Sequence, residues 1–160
     1  RLALEVLPLL RSRVPAAELW LAGGNSEPIA ELGALPGVRV LGFVEDLGAL
    51  FAEVRLLLGP LWSGAGFRVK NLAALAHGLP VVTNALGARG LDVPTTARRV
   101  VEHAPDLVAA AAHWLIDAAA AAAAGRSAFA WARATLAPDA VARQQLECAA
   151  FARELHLQQR

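Results

Sequence analysis

The 160 residues predict an open α/β fold: a Rossmann-like, mostly parallel sheet flanked by helices, ending in a helical C-terminal stretch. Three observations carry this. Short apolar runs alternate with helical patterns as far as residue 103, which implies parallel strands joined by right-handed crossovers. One complete strand, turn, helix and strand unit is legible between Val54 and Thr83. Beyond Pro105 the pattern is helical to the end, so residues 1–160 are expected to form one domain, with a sheet core over about 1–103 and helices over about 104–157.

The elements follow in order. A helix over about 2–13 carries Pro8 inside it, which should bend it. A strand over 18–22, a short helix over about 28–34 and a strand over 38–42 come next. Glu45 and Asp46 are suited to cap the following helix, about 46–53. Val54 to Leu58 reads as a strand buried on both faces, because it is short and almost wholly apolar. Pro60 stops it, and a helix over about 66–77 follows with Val69, Leu72, Ala73 and Ala76 at helical spacing. Gly78 suits its C-terminal cap, residues 80–84 form the next buried strand, and a loop leads to a strand over 98–102. Ala118 to Ala124 is a low-complexity helix former, Gly125 is expected to break it, and Pro138 opens a last helix bearing Val141, Leu146, Cys148, Phe151 and Leu155.

The unit from Gly59 to Thr83 has the plan of an anion site. Gly64 and Gly66 remove Cβ atoms where the chain turns or where a ligand approaches the backbone. The free amides of the next helix and its dipole favour a phosphate. Arg68 and Lys70 put positive charge at the end of that dipole where cations are unfavourable, which points to a bound anion. The plain alternative is a connecting turn with both cations solvated. A dinucleotide fingerprint fits poorly: Gly64-Ala65-Gly66 opens one, but Val69 replaces the third glycine and no acidic residue follows Thr83-Asn84.

The same residues resemble the signature of glycosyltransferase family 4, the glycogen-synthase-like enzymes of the two-lobed GT-B fold. The donor lobe of that family carries a pattern close to P-x-x-x-G-x-G-x-R-x-K-x-L-E-A-L-A-x-G-x-P-V-V. Here it reads Pro60, Gly64, Gly66, Arg68, Lys70, Leu72, Ala74, Leu75, Ala76, Gly78, Pro80, Val81 and Val82. Upstream, Pro15 to Gly23 resembles a P-x-x-x-L-x-I-x-G strand, and Val38 to Asp46 resembles V-x-V-L-G-F-V-x-D. Downstream, Gly87 to Leu91 resembles a G-x-x-G-L loop.

The resemblance implies the donor-binding lobe, the C-terminal half, of a retaining glycosyltransferase that uses a nucleotide-diphosphate sugar. It implies backbone amides of Gly64, Gly66 and Phe67 on the β-phosphate and sugar, and Gly42, Phe43 and Val44 against the nucleobase. Gly23, Ser63, Ala65 and Ala73 complete the donor contacts, and Arg68 and Lys70 are the catalytic candidates, one or the other neutralising charge on the leaving diphosphate. No metal and no cofactor are implied.

Two positions depart from the pattern: where many members carry glutamates that bind the donor sugar and the ribose, this chain has Ala65 and Ala73. A branch of the family has Gly or Ala at the first. Loss of the second costs about 1.5–3 kcal/mol, or roughly tenfold to a hundredfold in affinity. The chain also opens on Leu2 to Leu10, which resembles the first helix of the donor lobe, so the first strand is expected to be missing. In the strand order 3-2-1-4-5-6 that strand is central. Either upstream residues are absent from this chain or the sheet has a gap. The acceptor lobe is absent too, and this fragment alone should not catalyse.

Composition narrows the partners. Net charge is +1 with scattered arginines, which excludes a nucleic-acid stripe. Cys148 is the single cysteine, so no internal disulfide is expected, and His77, His103, His113 and His156 lack ligand spacing. His77 is better placed as a helix C-terminal cap. Trp20 and Trp62 near strand ends fit core packing as well as a site wall, and Asn25 and Ser26 fit a turn as well as a base contact. No apolar run is long enough for a transmembrane helix, so a cytoplasmic location is expected, with membrane contact only peripheral, at the inner face. Phe151, Leu155 and Leu157 on the terminal helix invite oligomerisation if the other lobe does not cover them. The setting implied is bacterial polysaccharide or glycoconjugate synthesis. Two alternatives stand: an inactive glycosyltransferase-like scaffold, motivated by Ala65 and Ala73, and a nucleotide-sugar epimerase.

Overall fold

The computed structural model describes residues 1–24, 27–64 and 68–147. Five strands run among helices along them, and after the last strand the chain is helical. The leading helix is not uniform: a π-helical turn, Leu2–Val6, closes with the Leu7 amide on the Leu2 carbonyl and passes into α1, Leu7–Arg13. Pro8 therefore sits in the first turn of α1, where its missing N–H costs nothing, and the wider turn ahead of it absorbs the mismatch expected as a bend.

Strand β1 (Leu19–Ala22) is followed by an exposed 3-10 helix, Glu27–Ala34, where an ordinary short helix was expected. Strand β2 (Val38–Gly42) has the expected bounds and pairs in parallel with β1. Asp46 caps α2 (Leu47–Glu53), its carboxylate accepting from the Ala49 amide at 2.9 Å. Strand β3 is only Leu57–Leu58, and Leu56 to Leu58 are half-buried. The signature helix α3 spans Val69–Ala76, so Arg68 is its N-cap, and His77 closes it as expected, followed by Gly78 at φ +73°.

Strand β4 (Val81–Thr83) is wholly buried. A one-turn helix that the sequence did not announce, α4 (Ala85–Ala88), follows it. Strand β5 (Arg98–Val100), α5 (Ala104–Ile116) and α6 (Ala118–Leu136) come next, and residues 138–147 are again helical.

Gly125 does not break the helix. The break lies at Asp117, whose side chain caps α6 through the Ala120 amide at 2.8 Å, and α6 runs through Gly125 to Leu136. A Cβ on Gly125 would overlap the carbonyl oxygen of Gly78. The glycine is there for close approach of α6 to the α3–β4 turn, not for a turn of its own.

The strands form two sheets. One is β1–β2 and the other β3–β4–β5, all neighbours parallel, and among the described residues no ladder joins β1 to β3. The leading helix and α5 pack on one face of β4 through Val6, Leu10, Leu107, Val108, Ala111 and Trp114. On the other face, Ala74 and Leu75 of α3 join Val81, Leu91, Val93 and Ala97, with Ala128 of α6. A smaller core under β1 and β2 is made of Ala3, Leu7 and Val38. Among the described residues no single helix is long and apolar enough to cross a membrane. Cys148 lies outside the described residues, as do Phe151, Leu155 and Leu157, the residues expected to promote oligomers.

Candidate functional site

One cavity of about 830 Å³ runs along β1 and β3 and opens at the carboxyl ends of β1 and β2. Gly23 and Gly24 after β1, Phe43 and Val44 after β2, and Lys70 and Ala73 of α3 line it. The other charged residues on its wall, Glu18, Glu53 and Arg55, precede β1 and β3 and so belong to the opposite end. Lys70 is thus the charge at the mouth among the described residues. It is exposed.

Gly42 ends β2 at φ +67°, a conformation that a residue with a Cβ rarely adopts, and the turn leaves Phe43 78% exposed beside the cavity. Gly64 takes φ +111° with open space around the position of a Cβ. Gly64 and Ser63, both exposed, lie in the turn that follows β3. Trp62, 45% exposed, stands in the same turn under the guanidinium of Arg1, 4.7 Å from its ring centre. Ala65, Gly66 and Phe67, expected to meet the phosphate and sugar, lie outside the described residues, as do Asn25 and Ser26.

The two expected catalytic cations are placed differently. Arg68 is only 6% exposed, and its Nε donates to the Leu86 carbonyl at 2.9 Å, linking the start of α3 to α4. Lys70, two residues on, faces the cavity. Ala73 is half-buried in the cavity wall and brings a methyl group where a carboxylate was noted as the usual residue.

A polar network that the sequence reading missed holds these turns. Asn71, 1% exposed, donates from Nδ2 to the Gly87 carbonyl at 3.0 Å, the Gly59 carbonyl at 3.3 Å and Thr83 Oγ1 at 3.4 Å. Thr83 Oγ1 in turn donates to the Gly59 carbonyl at 2.8 Å. Asn84 Oδ1 accepts from the amides of Leu61 and Gly87, each at 3.0 Å, while its Nδ2 donates to the Leu61 carbonyl at 2.6 Å. The turn that carries Trp62, Ser63 and Gly64 is thereby pinned to the end of β4. The available signal was a polar residue at an apolar helical position: Asn71 lies between Leu72 and Lys70 on a helix whose neighbours Ala74 and Leu75 are buried.

Arg98 plays a similar part further round. Its guanidinium donates to the carbonyls of Ala88 at 3.3 Å, Leu91 at 2.7 Å and Val93 at 3.5 Å, clasping the loop after α4. Burial pushes its pKa below the ordinary value and Asp92 opposes that shift. Among the described residues no three His, Cys, Asp or Glu side chains are grouped as a metal site.

The arrangement offers a cation, exposed backbone turns and an apolar aromatic at the carboxyl ends of parallel strands, where open α/β sheets bind ligands. The crystal structure of WaaG, a glycosyltransferase involved in lipopolysaccharide biosynthesis, superposes with a TM-score of 0.63 at 19% identity, over 82% of this chain and 40% of that one. The chain thus spans well under half the length of that solved relative, and the likeness is one of fold: half of a two-lobed GT-B architecture. No curated protein matches. The family model for glycosyl transferases group 1 matches residues 1–124. This chain belongs to the group 1 glycosyltransferases.

Proposed function

We propose that this chain is the donor-binding lobe of a retaining glycosyltransferase, with a nucleotide-diphosphate sugar as donor and with the acceptor bound by a second lobe. The observation that carries the proposal is the convergence of Gly23, Phe43, Val44, Lys70 and Ala73 on one cavity at the carboxyl ends of the strands, in a chain of this family. Phe43 and Val44 would lie against the nucleobase. Ser63 and Gly64 would present backbone to the phosphates, with the neighbouring Ala65, Gly66 and Phe67 as their expected continuation. Lys70 would neutralise charge developing on the leaving diphosphate, which is the step that departure of the nucleotide requires. Arg68 would act from behind, through its bond to Leu86. The reading calls on no metal.

We place the reaction in the cytoplasm and in bacterial polysaccharide or glycoconjugate synthesis; the solved structure it resembles works in lipopolysaccharide biosynthesis. One observation favours a second reading, an inactive scaffold: Ala73 stands in the cavity wall with no side chain able to accept a ribose hydroxyl.

Calorimetric titration of UDP, GDP and their sugars separates the two. On the donor-lobe reading, one nucleotide series binds and Lys70→Ala weakens it roughly tenfold to a hundredfold, the worth of a charge-assisted hydrogen bond. Ala73→Glu, which restores the acceptor, strengthens binding by a similar factor. Absence of binding at millimolar concentration in the native chain and in Ala73→Glu supports the scaffold reading instead.

A further inference from the structure

A second cavity, of about 500 Å³, opens at the amino ends of β3 and β4. Arg55 stands just ahead of β3, and His77, Gly78, Leu79 and Pro80 lead into β4; α6 supplies the rest of the wall from Ala118 to Phe129. The volume falls within the roughly 300–1,000 Å³ of small-molecule sites. The alanine run that opens α6 makes the room: Ala118, Ala121 and Ala122 line the space with nothing larger than a methyl group, and Gly125 adds no side chain at all.

The lining divides by chemistry. Its deepest residues are apolar: Leu79, Pro80, Ala121 and Gly125 are buried. Aromatic rings come from two elements, Phe51 of α2, whose ring centre lies 5.3 Å from that of His77, and Phe129 of α6, 47% exposed. Every polar side chain on the wall is basic: Arg55, His77 and Arg126, all exposed. Among the described residues no carboxylate lines the space and neither arginine has an ion pair. The nearest acids in sequence are engaged elsewhere: Glu53 lies on the wall of the larger cavity, and Asp117 accepts from the Ala120 amide.

We infer that this cavity binds a small aromatic carboxylate. Two guanidinium groups with no carboxylate on the same wall leave positive charge uncompensated at the rim, and the planar guanidinium fork matches a carboxylate. The buried apolar floor and the rings of Phe51 and Phe129 select a hydrocarbon body, an aromatic one above all. The wall carries no hydroxyl or amide side chain, so the hydroxyl groups of a sugar and the base edges of a nucleotide would find no side-chain partner besides the three cations. Phe51, Val54, Arg55 and Leu79 line both cavities, which thus share a wall, but His77, Gly78, Gly125 and Arg126 belong to this one alone.

The test is chemical-shift titration of the labelled chain with three probes: naphthoate, naphthamide, which keeps the rings and lacks the charge, and inorganic phosphate, which keeps a charge and lacks the rings. Naphthoate is expected to saturate at millimolar concentration or below and to shift the amides of His77, Gly78, Gly125 and Arg126. Naphthamide and phosphate bind more weakly by roughly fivefold or more, as does naphthoate to the double variant Arg55→Gln/Arg126→Gln, whose positions are both exposed. Ala122→Leu places another good helix former at an exposed position, fills the space and abolishes the shifts. The inference is overturned if millimolar naphthoate moves none of the four amides, or if its shifts gather at Gly23, Phe43 and Val44 in the larger cavity. It is overturned equally if naphthamide or phosphate binds as tightly as naphthoate, or if the double arginine variant or Ala122→Leu binds naphthoate unchanged.

Discussion

Replacing Gly125 by alanine is expected to destabilise the chain by about 1–3 kcal/mol, although the substitution improves helix propensity by about 1 kcal/mol at an exposed site. The sign is what matters. A Cβ at this position overlaps the Gly78 carbonyl oxygen, and both groups are backbone, so neither can turn away as a flexible side chain would. The helix α6 must move off the α3–β4 turn, taking Ala121, Ala124 and Ala128 out of the cores they fill. At ~2–4 °C per kcal/mol for a chain of this size, thermal unfolding should shift down by several degrees. A rise in Tm would show that Gly125 is an accident of composition.

Asn71→Ala is expected to cost about 2–3 kcal/mol, because the Gly87 carbonyl loses its side-chain donor in a buried site and a small cavity remains. Asn71→Asp should cost more at neutral pH. The shape is kept, but a carboxylate oxygen then faces the carbonyls of Gly59 and Gly87, which only accept. Denaturant titration of the two variants checks the order; equal cost would mean that the network contributes shape and not hydrogen bonds. The same network bears on the site. Through Gly59, Thr83, Gly87 and Asn84 it fixes the turn holding Ser63 and Gly64, so both variants should also weaken nucleotide binding without any contact to the ligand.

Much of the fold was legible because its signals are local. The bounds of β2, the Asp46 cap and the His77–Gly78 end of α3 follow from short-range chemistry. What was not legible depends on partners distant in sequence. A glycine that ends a helix and a glycine that admits another backbone look the same, and only the packing of α6 against Gly78 separates them at Gly125. Asn71 reads as a surface residue on a helix until β3, β4 and α4 surround it. Arg68 and Lys70 are equivalent as written, yet one is turned inward to Leu86 and the other outward to the cavity. The run Val54 to Leu58 was apolar enough for a long buried strand, but only Leu57 and Leu58 pair, with Val81 and Val82 of β4. Gly23, Phe43, Val44, Lys70 and Ala73 were all named from the family signature and do share a cavity. Ser63 and Gly64 stand in the turn that the Asn84 network pins.

The most direct measurement is chemical-shift mapping of the labelled chain during titration with UDP, GDP and their sugars. The donor-lobe account predicts that one series perturbs the amides of Gly23, Gly42 to Val44, Ser63, Gly64 and Lys70 together. Perturbations gathered instead at the amino ends of the strands, around Arg55, His77 and Arg126, or none at millimolar nucleotide, would contradict it.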